Sequence, residues 1–344
     1  MRTAWIRVAS ALWGVAILSG CAADIEPASM SRWKSPLYRD HPLTGQIWKP
    51  ADARLATAGE VYAAMKKADF VLIGEKHDNI DHHWLQARLV SEMAAYGRRA
   101  ALVFEMLTES QQTALDTHLE THPGDAAGIG PAVGWETSGW PDWEMYQPIA
   151  QQALYGNMPL LAGGLDREIT RNIAREGPDA LGKERAVALM LDQPVDEATR
   201  AEMRQVISNS HCDQLPEPML EPMLSVTLAK DAVMADRMIE ARGNAKEDVS
   251  VLIAGGGHAR ADWAVPFHLK RRVEGARIVT VGLLEVEKDL SDPAAYAERY
   301  GGMLPFDFVW FTPRVDDNDP CEVFAEQLKQ MREKRENGGD GESN

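Results

Sequence analysis

Two short stretches of the sequence carry residues that can do acid–base or metal chemistry. Residues 74–77 and 255–258 both have the pattern G-x-x-H, and each directly follows an apolar run. Imidazole and carboxylate groups bind metals such as Zn²⁺, and the same groups can hold and deprotonate a water molecule. Without a metal, a carboxylate can orient a histidine that acts as a base. Both alternatives predict Glu75, His77 and His258 as site residues.

Glu105 is the fourth predicted member of this site, because it also lies where a predicted strand ends. The apolar runs at residues 69–74, 100–106 and 250–258 read as buried strands. Ligands of open α/β sheets bind outside the carboxyl ends of the strands, so these ends should meet at one edge. The glycines are expected to let the backbone turn sharply there and let a ligand approach closely.

The order of the elements predicts an α/β fold with a largely parallel central sheet flanked by helices. Apolar runs and helical patterns alternate along the main domain, which we place at residues 51–320. Residues 166–242 contain helical patterns and no convincing strand, which indicates an inserted all-helical subdomain. Residues 321–344 are polar and predict a disordered tail.

A structural role is the common explanation for any one of these residues, since a lone His or Glu at a strand end is more often hydrogen-bonded or solvated. The repeated pattern favours a site. The sequence contains no H-E-x-x-H, C-x-x-C, G-x-S-x-G or P-loop motif. A dinucleotide site is disfavoured because Arg260 stands where the third glycine of G-x-G-x-x-G is required.

The first 20 residues read as the signal peptide of a bacterial lipoprotein, with Cys21 as the lipidated residue. Basic residues precede an apolar run that is too short to span a membrane, and small residues precede the cysteine. The alternatives are an ordinary signal peptide with an incidental cysteine, or a membrane helix. The lipoprotein reading predicts attachment to the cell envelope, at the outer membrane facing the periplasm. Residues 21–50 then form a tether and a loop that leads into the folded body.

Charge and cysteine content narrow the function further. The formal net charge is −16, which is unsuited to binding nucleic acid. Export to an oxidising compartment would allow a disulfide between Cys212 and Cys321, although sequence alone does not bring their backbones together.

Several motifs, in order, resemble the ChaN-like haem-binding lipoproteins, which belong to a wider group with the TIKI, TraB and erythromycin-esterase proteins. The resemblance spans about residues 69–284 and rests on the segments GEKHDNIDHHWLQ, FEM, WPDWEMYQP, HCDQLPEPM, KDAVMADRM and IAGGGHARADWAVP. It implies a protein that binds haem for iron acquisition at the cell envelope. We expect the haem in a cleft at the carboxyl ends of the strands, between the α/β body and the helical subdomain. The resemblance also implies a homodimer, with a tyrosine on the haem iron and basic groups on the propionates.

The resemblance suggests candidate haem contacts but does not fix them. Tyr146 is the first candidate for the iron ligand and Tyr155 the second, and either could be a packing residue instead. His211 could join the pocket or cap a helix. Arg260 could bind a propionate through its planar fork or form a surface ion pair. His83 could face the site, although its neighbour in the helix then could not.

The wider group implies an alternative function. There the resemblance makes Glu75, His77, Glu105 and His258 a hydrolytic centre, with or without a divalent metal. A third alternative is a structural lipoprotein whose polar site is vestigial.

Overall fold

One eight-stranded sheet forms the centre of the protein. The computed structural model describes residues 33–95, 97–243 and 248–338. The strands are β1 (Ile47–Lys49), β2 (Arg54–Ala56), β3 (Phe70–Glu75), β4 (Ala100–Thr108), β5 (Leu160–Gly164), β6 (Val249–Gly255), β7 (Ile278–Glu285) and β8 (Phe308–Thr312). The helices are α1 (Ala58–Met65), α2 (Ile80–Ala95), α3 (Gln112–Thr121), α4 (Ile129–Val133), α5 (Trp143–Tyr155), α6 (Arg167–Glu176), α7 (Lys183–Ala188), α8 (Glu197–Ser210), α9 (Glu217–Gly243), α10 (Val265–Arg272) and α11 (Pro320–Gly338).

The sheet is largely parallel, as the alternation of elements predicts. Its order is β2-β1-β8-β7-β3-β6-β4-β5, and the six strands from β8 to β5 run parallel. The hairpin of β1 and β2 adds two antiparallel strands at one edge. The predicted α/β fold class is therefore confirmed.

Burial on both faces explains why the central strands read as continuous apolar runs. All six residues of β3 are buried. Val71 and Ile73 face a core that includes residues of α1, α2 and α5, whereas Phe70 and Leu72 face a core that includes residues of α9 and α10. Strands covered on both faces lose the polar–apolar alternation of a half-exposed sheet.

The ends of the chain differ from the sequence-based expectation. Strand β1 lies within residues 21–50, where a tether and loop are predicted, because residues 47–49 pair with both β2 and β8. Helix α11 occupies much of residues 321–344, where a disordered tail is predicted. Between Arg167 and Gly243, the region in which a helical subdomain is predicted, the chain forms α6 to α9.

The predicted signal peptide and the lipidated Cys21 lie outside the described residues. Within residues 33–95, 97–243 and 248–338, no helix has the length and apolar character needed to cross a membrane.

A disulfide joins the turn after α8 to the start of α11. It links Cys212 and Cys321, which are 109 residues apart in sequence, and their Cα atoms are separated by 5.5 Å. Beside it, the ring of His211 contacts Phe324 edge-on, with 5.4 Å between ring centroids. The bond thereby anchors a polar C-terminal helix to the helical segment.

Replacing Cys321 with Ser should lower the free energy of unfolding by about 2–4 kcal/mol, because the unfolded chain loses a long covalent loop. Urea denaturation of the mature protein with and without a reducing agent measures this effect. The reducing agent should destabilise the wild type and leave the Cys321→Ser variant unchanged. An equal response of both proteins would contradict a stabilising role for the bond.

Candidate functional site

The carboxyl ends of β3, β6 and β4 lie side by side, and the predicted acidic residues meet there. Glu75 is the last residue of β3 and lies opposite Gly255, the last residue of β6. Glu105 lies in the next strand, where the pairing of β4 with β5 is interrupted by a register shift. The backbone N–H of Gly255 donates to Glu105 Oε2 at 2.9 Å. One buried carboxylate from each flanking strand therefore borders the end of β6.

Two glycines of the G-x-x-H stretches, Gly74 and Gly255, stand where a Cβ would be too close to a neighbouring atom. A methyl group on Gly74 would lie 2.9 Å from both Ala259 Cβ and Gly256 Cα. Gly256 N–H also donates to the carbonyl oxygen of Glu75 at 2.8 Å. The chain turns after each strand as predicted, since His258 N–H donates to the carbonyl oxygen of Gly255 at 2.9 Å and Asn79 N–H to that of Lys76 at 3.0 Å. None of the glycines in the two stretches has a positive φ, so the close approach, and not the turn, is what requires glycine at Gly74 and Gly255.

Glu75 holds His77 in a defined orientation. His77 Nδ1 lies 2.8 Å from Glu75 Oε1, and the hydroxyl of Tyr146 donates to the same oxygen at 3.2 Å. Glu75 and Tyr146 are both buried, so their contact is shielded from water. Burial and the neighbouring carboxylate raise the pKa of Tyr146 well above its ordinary value.

His77 is the open member of this group, and its side chain is 32% exposed. Its ring lies against Trp140, with 4.7 Å between ring centroids. A methyl group on Gly255 would lie 2.9 Å from His77 Nε2 and 3.7 Å from Glu105 Oε2. Burial opposes the charged ring, but the hydrogen bond to Glu75 and the nearby carboxylates outweigh it and raise the pKa of His77.

His258 lies between two carboxylates. Its Nδ1 is 2.6 Å from Asp231 Oδ1, and its Nε2 is 3.2 Å from Glu105 Oε1. Both ring nitrogens thus face acceptors, an arrangement that the doubly protonated imidazolium satisfies. Burial opposes this charge, but the two carboxylates raise the pKa of His258 to about 10.

The carboxylates respond differently to this shared histidine. Burial works against the charge of Glu105, but His258 and Lys230 outweigh it and hold the pKa of Glu105 well below its usual range. For Asp231, burial has the larger effect and raises its pKa despite His258. Lys230 Nζ lies 3.7 Å from Glu105 Oε1, and its side chain is 29% exposed. Around His258, the positive charges of His258 and Lys230 therefore lie next to the negative charge of Glu105.

Three residues of this site are absent from the sequence-based prediction. Asp231 and Lys230 come from α9, and Trp140 comes from the loop before α5. The adjacent Lys230 and Asp231 are a charged pair inside an apolar helical pattern, and this could have marked them. Their distance from the G-x-x-H stretches in sequence hid the connection.

Most polar residues between His77 and His83 have structural roles. The Asp81 carboxylate accepts hydrogen bonds from the backbone N–H groups of Lys34 and Ser35, both at 2.8 Å. His82 Nδ1 accepts from Lys76 N–H at 2.8 Å, and burial lowers the pKa of His82 well below its ordinary value. These contacts hold the start of α2 and the first described residues together.

His83 is packed beneath the site and does not line it. Its Nε2 lies 2.9 Å from the carbonyl oxygen of His77, and its Nδ1 lies 3.4 Å from Glu75 Oε2. Its ring meets Tyr146 edge-on at a centroid distance of 4.2 Å. His83 and Tyr146 are both buried, so as placed here neither offers an open atom to haem.

The other three predicted haem contacts lie apart from this cluster. Tyr155 is 72% exposed and is the last residue of α5. Because α5 leads into the start of β5, Tyr155 lies near the amino ends of the parallel strands, opposite the site. His211 ends α8, with its Nδ1 2.7 Å from the Ile207 carbonyl oxygen, in a cap-like contact. Arg260 is buried between Trp263 and Tyr300 and donates to Asp262, which leaves its fork already paired.

The described residues do not support a divalent metal centre. In this part of the chain, no group of three or more His, Cys, Asp or Glu side chains is arranged to hold a metal ion. Glu75, His77, Glu105 and His258 instead form hydrogen bonds and ion pairs with one another and with Asp231. The arrangement suits proton transfer between side chains.

Replacing Gly74 with Ala should destabilise the fold by about 1–3 kcal/mol, because the added methyl group would press on Ala259 and Gly256. Gly257→Ala is the matched control, since a methyl group there meets open space, and it should change stability by no more than about 0.5 kcal/mol. Urea denaturation of both variants measures the difference. Equal stabilities of the two variants would show that the fold does not depend on the close contact of Gly74 with Ala259 and Gly256.

The contribution of His258 to stability should depend on pH in a defined direction. Because its pKa is raised to about 10, the contribution is fully present below about pH 6.5 and is lost as the pH rises toward 10. His258→Gln should cost about 3–5 kcal/mol near pH 6, because it leaves the carboxylates without their cation. Denaturation curves from pH 6 to 9.5 should show the gap to wild type narrowing. A gap that stays constant or widens would contradict a charged His258.

Comparison with known proteins agrees with this architecture. A family model described as haem-binding uptake, Tiki superfamily, ChaN matches residues 61–269. The fold is similar to a solved structure of haem bound cofacially to ChaN of Campylobacter jejuni, with 21% identity, a TM-score of 0.58 and coverage of 77% of this chain and 95% of that one. The type III effector HopBA1 is a weaker match, with 10% identity, a TM-score of 0.40 and coverage of 81% and 97%. No curated protein sequence matches the chain.

The family model covers the strands and helices that build the site, from α1 to α10, and more than half of the 344 residues. The chain therefore belongs to the ChaN family of haem-binding uptake proteins in the Tiki superfamily.

Proposed function

We propose that the protein is an envelope lipoprotein that binds haem for iron acquisition. Membership of the ChaN haem-binding uptake family is the observation that carries the proposal. The N-terminal sequence supports the envelope location, because Leu18 to Cys21 has the pattern of a lipidation site after a short apolar run. Lipid on Cys21 would attach the protein to the outer membrane, facing the periplasm.

We place the porphyrin beside His77 and Trp140, at the carboxyl ends of β3, β4 and β6. The rings of Trp140 and His77 are partly exposed there and lie against each other, so they offer an aromatic wall to a flat ligand. Lys76 and Lys230 are partly exposed near the same strand ends. Their ammonium groups could pair with the two propionates, since charged carboxylates attract such donors.

The dimer implied by the family resemblance gives an alternative position for the haem. Tyr155 is the largely exposed tyrosine among the described residues, and it lies on the far side of the molecule from the cleft. Haem held by Tyr155 would therefore lie on an outer surface, where a second copy could cover it. The two positions make opposite predictions for single substitutions.

Titration of the purified mature protein with haemin should give a saturable change in the Soret band. Trp140→Ala should weaken the affinity about three- to tenfold through the loss of aromatic stacking. Tyr155→Phe is the control and should leave the affinity unchanged. Sedimentation of the loaded protein reports whether two copies assemble.

The outcomes separate the parts of the proposal. No saturable change at micromolar haemin would refute haem binding. A loss of haem affinity confined to Tyr155→Phe would place the haem near the amino ends of the strands. It would refute the position beside His77 and Trp140.

A further inference from the structure

We propose that the Cys212–Cys321 disulfide closes an arch over the carboxyl edge of the sheet, and that a protein dithiol opens this arch by reducing the bond. The arch has two feet, one at the end of β8 and one on α9, and the disulfide joins them. Opening it should speed the passage of a ligand to and from the site beside His77, a consequence that rests on the proposed function. The positions of the feet, the exposure of Cys321 and the weak attachment of α11 carry the inference.

The first foot is the chain that follows β8. Strand β8 ends at Thr312, and beyond it Arg314 pairs with Leu37 in an antiparallel bridge. The hydroxyl of Tyr38 donates to Asp317 Oδ2 at 2.6 Å. These contacts hold residues 313–317 beside the carboxyl end of β8, and α11 begins three residues further on.

The second foot is α9, which runs along the sheet and extends past its carboxyl edge. Near the end of this helix, Arg242 Nη2 lies 3.1 Å from Asp69 Oδ1, just before β3 begins. Lys230 Nζ lies 3.7 Å from Glu105 Oε1, at the carboxyl edge. The thirteen residues from Lys230 back to Glu217 therefore extend about 20 Å beyond this edge, since an α-helix rises about 1.5 Å per residue.

Helix α8 folds back on this part of α9 and stiffens it. Arg200 and Arg204 of α8 form ion pairs with Glu221 of α9. Apolar residues of both helices are buried around Trp263, which lies in the loop after β6. They are Met203, Ile207, Leu220 and Leu224. The second foot is therefore held by packing and ion pairs that do not involve the disulfide.

The two feet stand on either side of the strand that ends in Glu75. The order of the strands from one foot to the other is β8-β7-β3-β6-β4, so β7 and β3 lie between them. Cys212 lies in the turn between α8 and α9, at the far end of the second foot, and Cys321 lies at the start of α11. Their bond therefore closes the arch outside the carboxyl ends of β7 and β3. The closed arch narrows the approach to Glu75 and His77 from the side of α9.

The bond is open to attack by a thiol. Cys321 is exposed and Cys212 is half-buried. Exposed disulfides are among the labile ones, and they include bonds that regulate proteins. In the first step, a thiolate of the dithiol attacks Sγ of Cys321, and the electron pair of the disulfide leaves with Sγ of Cys212.

The exchange balances with the dithiol as the only co-reactant. Its second thiol attacks the mixed disulfide and releases the sulfur of Cys321 as a thiolate. The dithiol loses two electrons and two protons and becomes a disulfide. The protein gains those electrons and protons as the two thiols of Cys212 and Cys321.

The disulfide is the main attachment of α11 among the described residues. Of the α11 residues whose side chains the structure describes, none is buried, and Val323 is 42% exposed. The ring of Phe324 contacts His211 edge-on, with 5.4 Å between centroids. Segments with few buried apolar contacts open at a low cost in free energy. Reduction should therefore free the chain after Asp317 while the rest of the fold stays intact.

The first test is limited proteolysis of the native mature protein with and without dithiothreitol, followed by mass spectrometry. The reagent should reduce the bond in the folded protein, and trypsin should then cut after the exposed Lys329 at least about tenfold faster. The body of the protein should stay uncut. Reduction that occurs only as fast as global unfolding, or equal cutting of both forms, would overturn the proposal.

The second test is the rate at which haemin leaves the loaded protein, measured by its transfer to excess apomyoglobin. The thiols of the reduced protein are first blocked with iodoacetamide, so that no free thiol binds the haem iron. Reduction should raise the rate at least about fivefold, because the released segment no longer narrows the approach to His77. An equal rate in both redox states would overturn the control of access. If haemin does not bind at all, the proposed function fails, and the proteolysis still decides whether reduction opens the arch.

A double Cys212→Ser/Cys321→Ser variant should behave as the reduced wild type in both measurements, with or without dithiothreitol. Glu322→Ser is the matched control, because Glu322 is the exposed neighbour of Cys321 and its replacement keeps the bond. This control should respond to the reagent as the wild type does. A double variant that matches the oxidised wild type would contradict the role of the bond.

Discussion

The site depends on the close approach of two strand ends. The end of β3 and the chain after β6 touch at Gly74 and Gly256, where neither residue has a side chain. This contact places the carbonyl of Glu75 against the backbone of the second loop, and a Cβ on Gly255 would lie only 2.9 Å from His77 Nε2. A protein interior is packed to crystal density, so approaches as close as these require residues without a Cβ.

The charged side chains of the site lie close together because the ends of β3 and β6 approach each other. Glu105 accepts from the backbone of Gly255 and faces His258, while Asp231 meets the other side of the same ring. An isolated buried charge would be too costly, so each charged group is held by another. The two halves of the site, one around His77 and one around His258, share the negative charge of the Glu105 carboxylate.

Sequence patterns predict the part of this structure that follows from local chemistry. The buried strands, the largely parallel sheet and the four residues at its carboxyl edge follow from apolar runs that end in glycine and polar residues. Asp231 and Lys230 do not, because their position depends on how a 27-residue helix crosses the sheet. Tyr146 illustrates the same limit, since its burial against Glu75 is set by the packing of α5 on α2.

Neighbouring histidines in one short stretch have quite different environments. His77 keeps an open nitrogen, whereas His82 is locked as a neutral ring between Lys76 N–H and the Thr312 hydroxyl. The residue type is the same and only the partners differ. A count of metal-capable residues in a sequence therefore overstates the size of a site, and the hydrogen bonds of each ring decide which residues remain available for chemistry.

The contact of Asp81 with Lys34 and Ser35 also limits how far the site can lie from Cys21. It fixes the first described residues at the start of α2, which follows the carboxyl end of β3. Twelve residues lie between Cys21 and Lys34, and the thirteen Cα–Cα steps of that chain span at most about 45 Å. If Cys21 carries the lipid, this short chain holds the site close to the bilayer, within reach of molecules that gather at the bilayer surface.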